Sequence, residues 1–166
     1  VKIKSKPAFH AGFHSIKKEV PAMRISTKGR YATRLMLDLA LHYDCGFTPL
    51  KAISQRQNIS DKYLEQIITQ LSRAGYVTSA RGAQGGYHLS RPPEEYTVGD
   101  ILRTTEGSLA PVACLDQNSP CSMAKACVTV EVWAKIEEAV NNVVDNITLA
   151  DLVKKYNEKG GGNYVI

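Results

Sequence analysis

No stretch of this 166-residue chain reaches the roughly 18 consecutive apolar residues that a membrane span requires. The longest, LMLDLALHY at 35–43, is broken by Asp38 and His42. Residues 1–22 lack the continuous apolar core and small-residue cleavage site of a secretory signal. They read as a flexible extension, an early start or a tag, with the functional chain beginning near Met23. With no export signal, the four cysteines do not suggest a disulfide framework, and a cytoplasmic location is expected. A zinc-type C-x₂₋₄-C pair is missing. His42 and His88 stand apart without metal-ligand spacing, and no catalytic constellation accompanies them, so the chain is not expected to be an enzyme. Basic character is also scarcer than the net charge of +5 suggests. All of it comes from residues 1–24, where Lys2, Lys4, Lys6, Lys17, Lys18 and Arg24 face only Glu19. The remainder is neutral, so any nucleic-acid surface has to come from local clustering.

What is present is helical periodicity. The composition, 43% hydrophobic and 22% charged, suits one globular domain with an appendage. In STKGRYATRLMLDLALHYD, Ser26 and Thr27 are possible N-caps, and Tyr31, Leu35, Leu39 and Tyr43 recur every four residues, with Met36 and Ala40 beside them. That spacing predicts an amphipathic helix. In TPLKAISQRQNIS, Thr48 is a candidate cap and Pro49 suits a first helical position, predicting a short helix that buries Leu50 and Ile53. A second helix follows in DKYLEQIITQLSRAG, with Ser60 as candidate cap, Leu64, Ile67, Ile68 and Leu71 inward, and Gly75 as terminator. Two helices joined by a four- or five-residue turn have the pattern of a helix-turn-helix.

Residues 80–90, ARGAQGGYHLS, then supply glycines, an arginine and a glutamine between two short strand-like runs. A nucleotide-binding loop leads from a strand into a helix and ends in Lys-Ser/Thr or a correctly spaced third glycine. These glycines lead into a second strand, and RPP follows. The stretch therefore reads as a hairpin tip: Tyr76 and Val77 begin one strand, and Tyr87 and Leu89 alternate on the other. A narrow tip with Gly82, Gly85 and Gly86, carrying Arg81, suits entry into a minor groove. A hairpin after a helix-turn-helix is a winged helix.

TVGDILRTTEG predicts a short helix capped by Thr97 that buries Ile101 and Leu102. Beyond an aperiodic loop, VTVEVWAKIEEAVNNVVDNI predicts a helix of about 20 residues, roughly 30 Å long. Val130, Trp133, Ile136, Val140 and Val144 form its apolar stripe, which a second copy of the chain would cover. TLADLVKKY, capped by Thr148, closes the fold, and 159–166 reads as a loose tail. The fold class is thus mainly α with a small β hairpin. Residues 23–108 form a winged helix-turn-helix domain, 109–127 a cysteine-containing loop, and 128–158 the dimerisation and closing helices.

Cys45 reads as an inert residue at a helix end. Cys114, Cys121 and Cys127 share one loop, and three soft thiolates there suit an iron–sulfur cluster. Lys125 and Lys135 would favour the thiolate forms. A fourth ligand is needed: Glu131 lies one helical turn beyond Cys127, Asp116 is a second candidate, and a partner subunit is a third source. Three free thiols, or a thiol redox switch, remain open at this point.

The runs MRISTKGRYATRLMLDLAL, ISDKYLEQIITQLSRAGYVTSARGAQGGYHLSRP and NITLADLV resemble the IscR/CymR/NsrR family of bacterial winged-helix regulators, a likeness covering about four-fifths of the chain. The resemblance implies a homodimer that binds palindromic double-stranded promoter DNA. In the branch with three loop cysteines it implies repression of cluster-assembly genes by a [2Fe–2S] form. Two features depart from that branch: Val130 stands where its histidine ligand lies, and the spacing between the first two cysteines is one residue longer. Arg30 occupies the position of the aspartate used by the nitric-oxide-sensing branch. By the same resemblance Glu65 reads a cytosine amino group, with Ser60, Lys62, Tyr63, Gln66 and Gln70 as neighbours. Arg24, Lys28, Arg30 and Arg34 form a phosphate-positioning patch, and Arg81, Gly82, Gln84 and Gly85 form the wing contact. The alternative is a cluster-free regulator of cysteine or sulfur metabolism, controlled by its thiols or by a cluster-assembly or cysteine-synthesis protein.

Overall fold

The computed structural model describes residues 25–82, 84–115, 121, 123 and 126–160. The expectations for 1–22, Met23, Arg24, Asp116, Lys125 and the end of the tail lie outside the described residues. Helix α1 (Thr27–Leu41) starts at Ser26, whose hydroxyl accepts from the Lys28 and Gly29 amides. Glu106 reinforces that start from a distant helix: its Oε1 accepts from the Gly29 amide at 2.8 Å and the Ser26 hydroxyl at 2.5 Å. A carboxylate there also answers the partial positive charge of a helix N-terminus.

The stripe read from the sequence faces inward. Ala32, Leu35, Met36, Leu39 and Ala40 are buried, and they meet Ile53 of α2 (Leu50–Gln57) and Leu64, Ile67, Ile68 and Leu71 of α3 (Asp61–Arg73). Each large aliphatic side chain buried there stabilises the fold by about 1.5–3 kcal/mol. The turn between α2 and α3 runs through Asn58, whose φ of 50° is left-handed, and Ile59 is buried beneath it. Gly75, at φ 75°, ends the helix pair as expected.

Strands β1 (Val77–Ala80) and β2 (Gly86–Leu89) pair antiparallel, with Val77 opposite Leu89 and Ala80 opposite Gly86. Thr48 is not the cap of α2: Pro49 holds that position, and no side chain caps the helix. The Thr48 backbone instead bonds twice to Tyr87, each at 2.9 Å, adding a third edge to the hairpin. Leu50 is only half-buried.

Helix α4 (Val98–Glu106) begins with a capping box between Thr97 and Asp100, and α6 (Leu149–Glu158) with one between Thr148 and Asp151. Between them, α5 (Val130–Asp145) has 16 residues rather than about 20, because Val128 and Thr129 form a turn and the helix ends at Asn146. Tyr96, fully buried, joins the wing to the helices: its hydroxyl donates to the Tyr76 carbonyl and accepts from the Arg91 amide, both at 2.9 Å. The architecture is a winged helix-turn-helix followed by a long helix and a closing helix. Among the described residues, no helix is long and apolar enough to cross a membrane.

Candidate nucleic-acid interface and the cysteine loop

The inward stripe of α3 leaves its other face free. Ser60, Lys62, Glu65, Gln66 and Thr69 are exposed along it, while Tyr63 and Gln70 are half-buried. Ser60 marks the helix start, but its hydroxyl caps no amide there. Tyr63 packs its ring edge-on against Tyr31 of α1 at 5.7 Å, which steadies the first turn. Among the described residues, the buried Gln70 side-chain oxygen has no hydrogen-bond partner. Glu65 stands in mid-helix with its carboxylate in solvent.

The rest of the predicted patch divides. Arg30 is exposed at the N-terminal turns of α1, and Lys28 beside it is half-buried. Arg34 is engaged internally: Nε donates to Gln57 Oε1 at 3.0 Å, and Nη2 to the Gln57 carbonyl at 2.5 Å. At the hairpin, Arg81, Gly82 and Gln84 are exposed and Gly85 is half-buried, with the Gly85 amide donating to the Gly82 carbonyl at 3.0 Å. Gly82 adopts φ 108°, a conformation open to glycine, beside the exposed Arg81.

One polar group in the core escaped the sequence reading. Asp38 is only 1% exposed, on the inward side of α1. The Arg56 guanidinium reaches it through Nη2 at 2.6 Å and Nε at 3.1 Å, and Gln57 Nε2 adds a bond at 2.9 Å. This contact holds the Arg56 pKa above its ordinary value. The signal available was a charge inside an apolar stripe, which in a folded chain demands a partner.

His88, on β2, places Nε2 2.8 Å from the Tyr43 carbonyl and stacks at 4.8 Å on the Tyr43 ring, tying the wing to the end of α1. It is a strand residue in a structural role. Cys45 is exposed in the short turn Tyr43–Cys45.

The stripe on α5 is partly open. Val130, Trp133, Ile136 and Val140 are half-buried, and Val132 and Val143 are exposed at 51% and 58%. Val144, expected at the dimer interface, is buried within the chain, and its Cγ2 lies where a side chain on Gly99 of α4 would go.

In the loop before α5, Cys114 is half-buried in the turn Ala113–Leu115, Cys121 is exposed, and Cys127 is half-buried. Cys127 Sγ lies 3.1 Å from the Thr129 hydroxyl. That contact, together with the Thr129 and Val130 amides, holds the Cys127 thiol below its usual pKa. Glu131 is exposed in the first turn of α5. Three thiols are chemically apt donors for an iron–sulfur cluster. Among the described residues, however, no three His, Cys, Asp or Glu side chains converge on one metal position.

Comparison with known proteins agrees with the winged-helix fold. A family model described as Rrf2, iron-dependent transcriptional regulator, matches residues 25–155. The chain is 45% identical over 130 residues to the HTH-type transcriptional regulator CymR of Bacillus subtilis (strain 168), covering 78% of this chain and 89% of that one. The solved structure of CymR, the global cysteine regulator of B. subtilis, superposes with a TM-score of 0.68, covering 80% of this chain and 97% of that one. T. potens IscR superposes equally well, at 0.68 and 41% identity, covering 84% and 93%. The oxidized form of Staphylococcus aureus CymR gives 0.61 at 41% identity, covering 78% and 95%.

Proposed function

Because the chain belongs to the Rrf2 family of transcriptional regulators, we propose that it binds palindromic promoter DNA as a homodimer and is controlled through the thiols of its 109–127 loop. Family membership makes it a DNA-binding regulator rather than an enzyme; the reading deepens that to a mode of binding and of control. The observation that carries it is an exposed polar face on α3, bearing Lys62, Glu65 and Gln66, followed in the chain by a glycine-rich hairpin tip bearing the exposed Arg81. The first would read base edges in the major groove, and the second would reach the adjoining groove or phosphates. Pairing through the open stripe of α5 would set two α3 helices against half-sites about 34 Å apart.

Thiol control is favoured by three free thiols outside the core and by the Thr129 hydroxyl bonded to Cys127. It is also favoured by the likeness to a cysteine regulator and to one solved in an oxidized form. Control by a cysteine-synthesis protein belongs to the same reading. A second reading, [2Fe–2S] sensing and repression of cluster-assembly genes, is favoured by the same three cysteines and the likeness to T. potens IscR. Glu131 is then the candidate fourth ligand.

Anaerobic purification followed by iron and sulfide analysis, with affinity for selected duplex DNA measured after oxidation, reduction and chelation, separates the two. Iron-free protein whose affinity follows the thiol redox state supports the first. Stoichiometric iron and sulfide with chelation-sensitive affinity replaces it with the second.

A further inference from the structure

Asp38 is the least expected residue in the core. Its neighbours on α1, Leu35, Met36, Leu39 and Ala40, already bind the helices together by burial, which is strong but has no preferred direction. A carboxylate there loses its hydration, and replacing a buried ion pair as a whole by apolar residues of similar volume is often neutral or stabilising. What a carboxylate adds is orientation, since a forked pair with arginine fixes both distance and plane. The fork falls on the last two residues of α2. Arg56 and Gln57 both donate to Asp38, and one turn earlier on α1 Arg34 holds the Gln57 side chain and carbonyl. Directly after Gln57 comes the left-handed Asn58, then buried Ile59, whose carbonyl accepts from the Ser54 hydroxyl at 2.7 Å, and α3 begins at Asp61. The departure angle of α3 is therefore set where α1 grips the end of α2.

We infer that Asp38, through Arg56 and Gln57, is a positioning residue for sequence discrimination: it fixes the angle at which α3 is presented to DNA. The inference rests on the DNA-binding reading above. Specific binding needs base contacts in register at both half-sites, whereas non-specific binding needs only phosphates. Loosening the grip therefore lowers the first and spares the second.

The test replaces the pair with an apolar one, Asp38→Leu with Arg56→Met, in the full chain. Melting temperature is measured, with affinities for the duplex the parent selects from a randomised pool and for a scrambled duplex at the same salt. The expected result is a melting temperature at or above the parent's, specific affinity lower by about tenfold or more, and scrambled affinity unchanged. Arg56→Lys is the companion variant. It keeps a positive charge beside the buried carboxylate but loses the fork, and should lower the specific ratio by about threefold. If the double variant does not fold, Arg56→Lys decides the matter alone. A folded variant with the parent's ratio overturns the inference. So does a parallel loss on both duplexes, which would make Arg56 a phosphate contact. A parent that does not discriminate the duplexes at all overturns the DNA-binding reading itself, and the inference with it.

Discussion

Arg103 of α4 forks onto Asp145 at the end of α5, with Nη1 2.7 Å from Oδ1 and Nη2 2.8 Å from Oδ2. Asn141, one turn earlier on α5, accepts a further bond from Nη2 at 2.8 Å. This joins the DNA-binding domain to the helix whose open stripe would meet a second subunit. Arg103 holds the Asp145 carboxyl below its ordinary value of 3.8. The folded state thus takes up a proton less readily than the unfolded chain, so the pair stabilises fully above that ordinary value and fades as pH falls through the lowered one.

Both partners are about 40% exposed, at 39% and 42%, so solvent screening keeps the effect small. Arg103→Ala should lower unfolding free energy by about 1 kcal/mol or less near neutral pH. The difference from the parent should shrink towards zero well below the ordinary value of 3.8. Urea titrations of both proteins at neutral and acid pH check this; an equal difference at both would show that Arg103 acts through packing.

Where α4 meets α1, the contact is at Gly29. A side chain on this buried glycine would strike Glu106 Oε1, which is held there by the Gly29 amide and Ser26. Gly29→Ala should cost about 1–3 kcal/mol. Paired with Glu106→Ala, which empties the space, it should cost clearly less than the two separate losses together. Additive losses in denaturant titrations would mean that the backbone shifts instead.

How legible was all this beforehand? The apolar stripes of α1 and α3 were readable because a buried face repeats at helical spacing, and Leu35, Leu39, Leu64 and Leu71 lie where that spacing puts them. Thr97 and Thr148 were readable as caps because each has an aspartate three residues on. Thr48 misled: followed by proline it looks like a cap, but its backbone pairs with Tyr87, 39 positions along, and no local pattern encodes that pairing. The exposed face of α3 and the Arg81 tip were legible as candidates. The diversion of Arg34 to Gln57 was not, because an arginine's partner is chosen by tertiary packing. Val144 fits the stripe as well as Val140 does, but it is buried close against Gly99 of α4, a contact that no local pattern encodes.

Gly86 tests the Thr48 edge directly. It has φ 155°, and a side chain there would collide with the Thr48 carbonyl. Gly86→Ala should cost about 1–3 kcal/mol and release the wing from the segment before α2. DNA affinity should then fall further than in an equally destabilised core variant such as Ile53→Val. Matching affinities in those two proteins would show that the wing needs no such anchor.

In the proposed mode of DNA binding Glu65 and Arg81 would divide the interface by chemistry, and their losses should look different. A carboxylate repels phosphates unless it meets a base donor, so Glu65→Ala should leave non-specific affinity unchanged or slightly raised. Discrimination at one position of each half-site should fall by about 1–3 kcal/mol. Arg81, exposed beside Gly82, offers charge without a fixed base partner. Arg81→Ala should weaken binding to all sequences alike and reduce the salt slope by about one. Binding titrations over a set of single-base variants and several salt concentrations read both effects. A uniform loss for Glu65→Ala would remove it from base reading, and a loss confined to one base pair for Arg81→Ala would place the wing in sequence recognition.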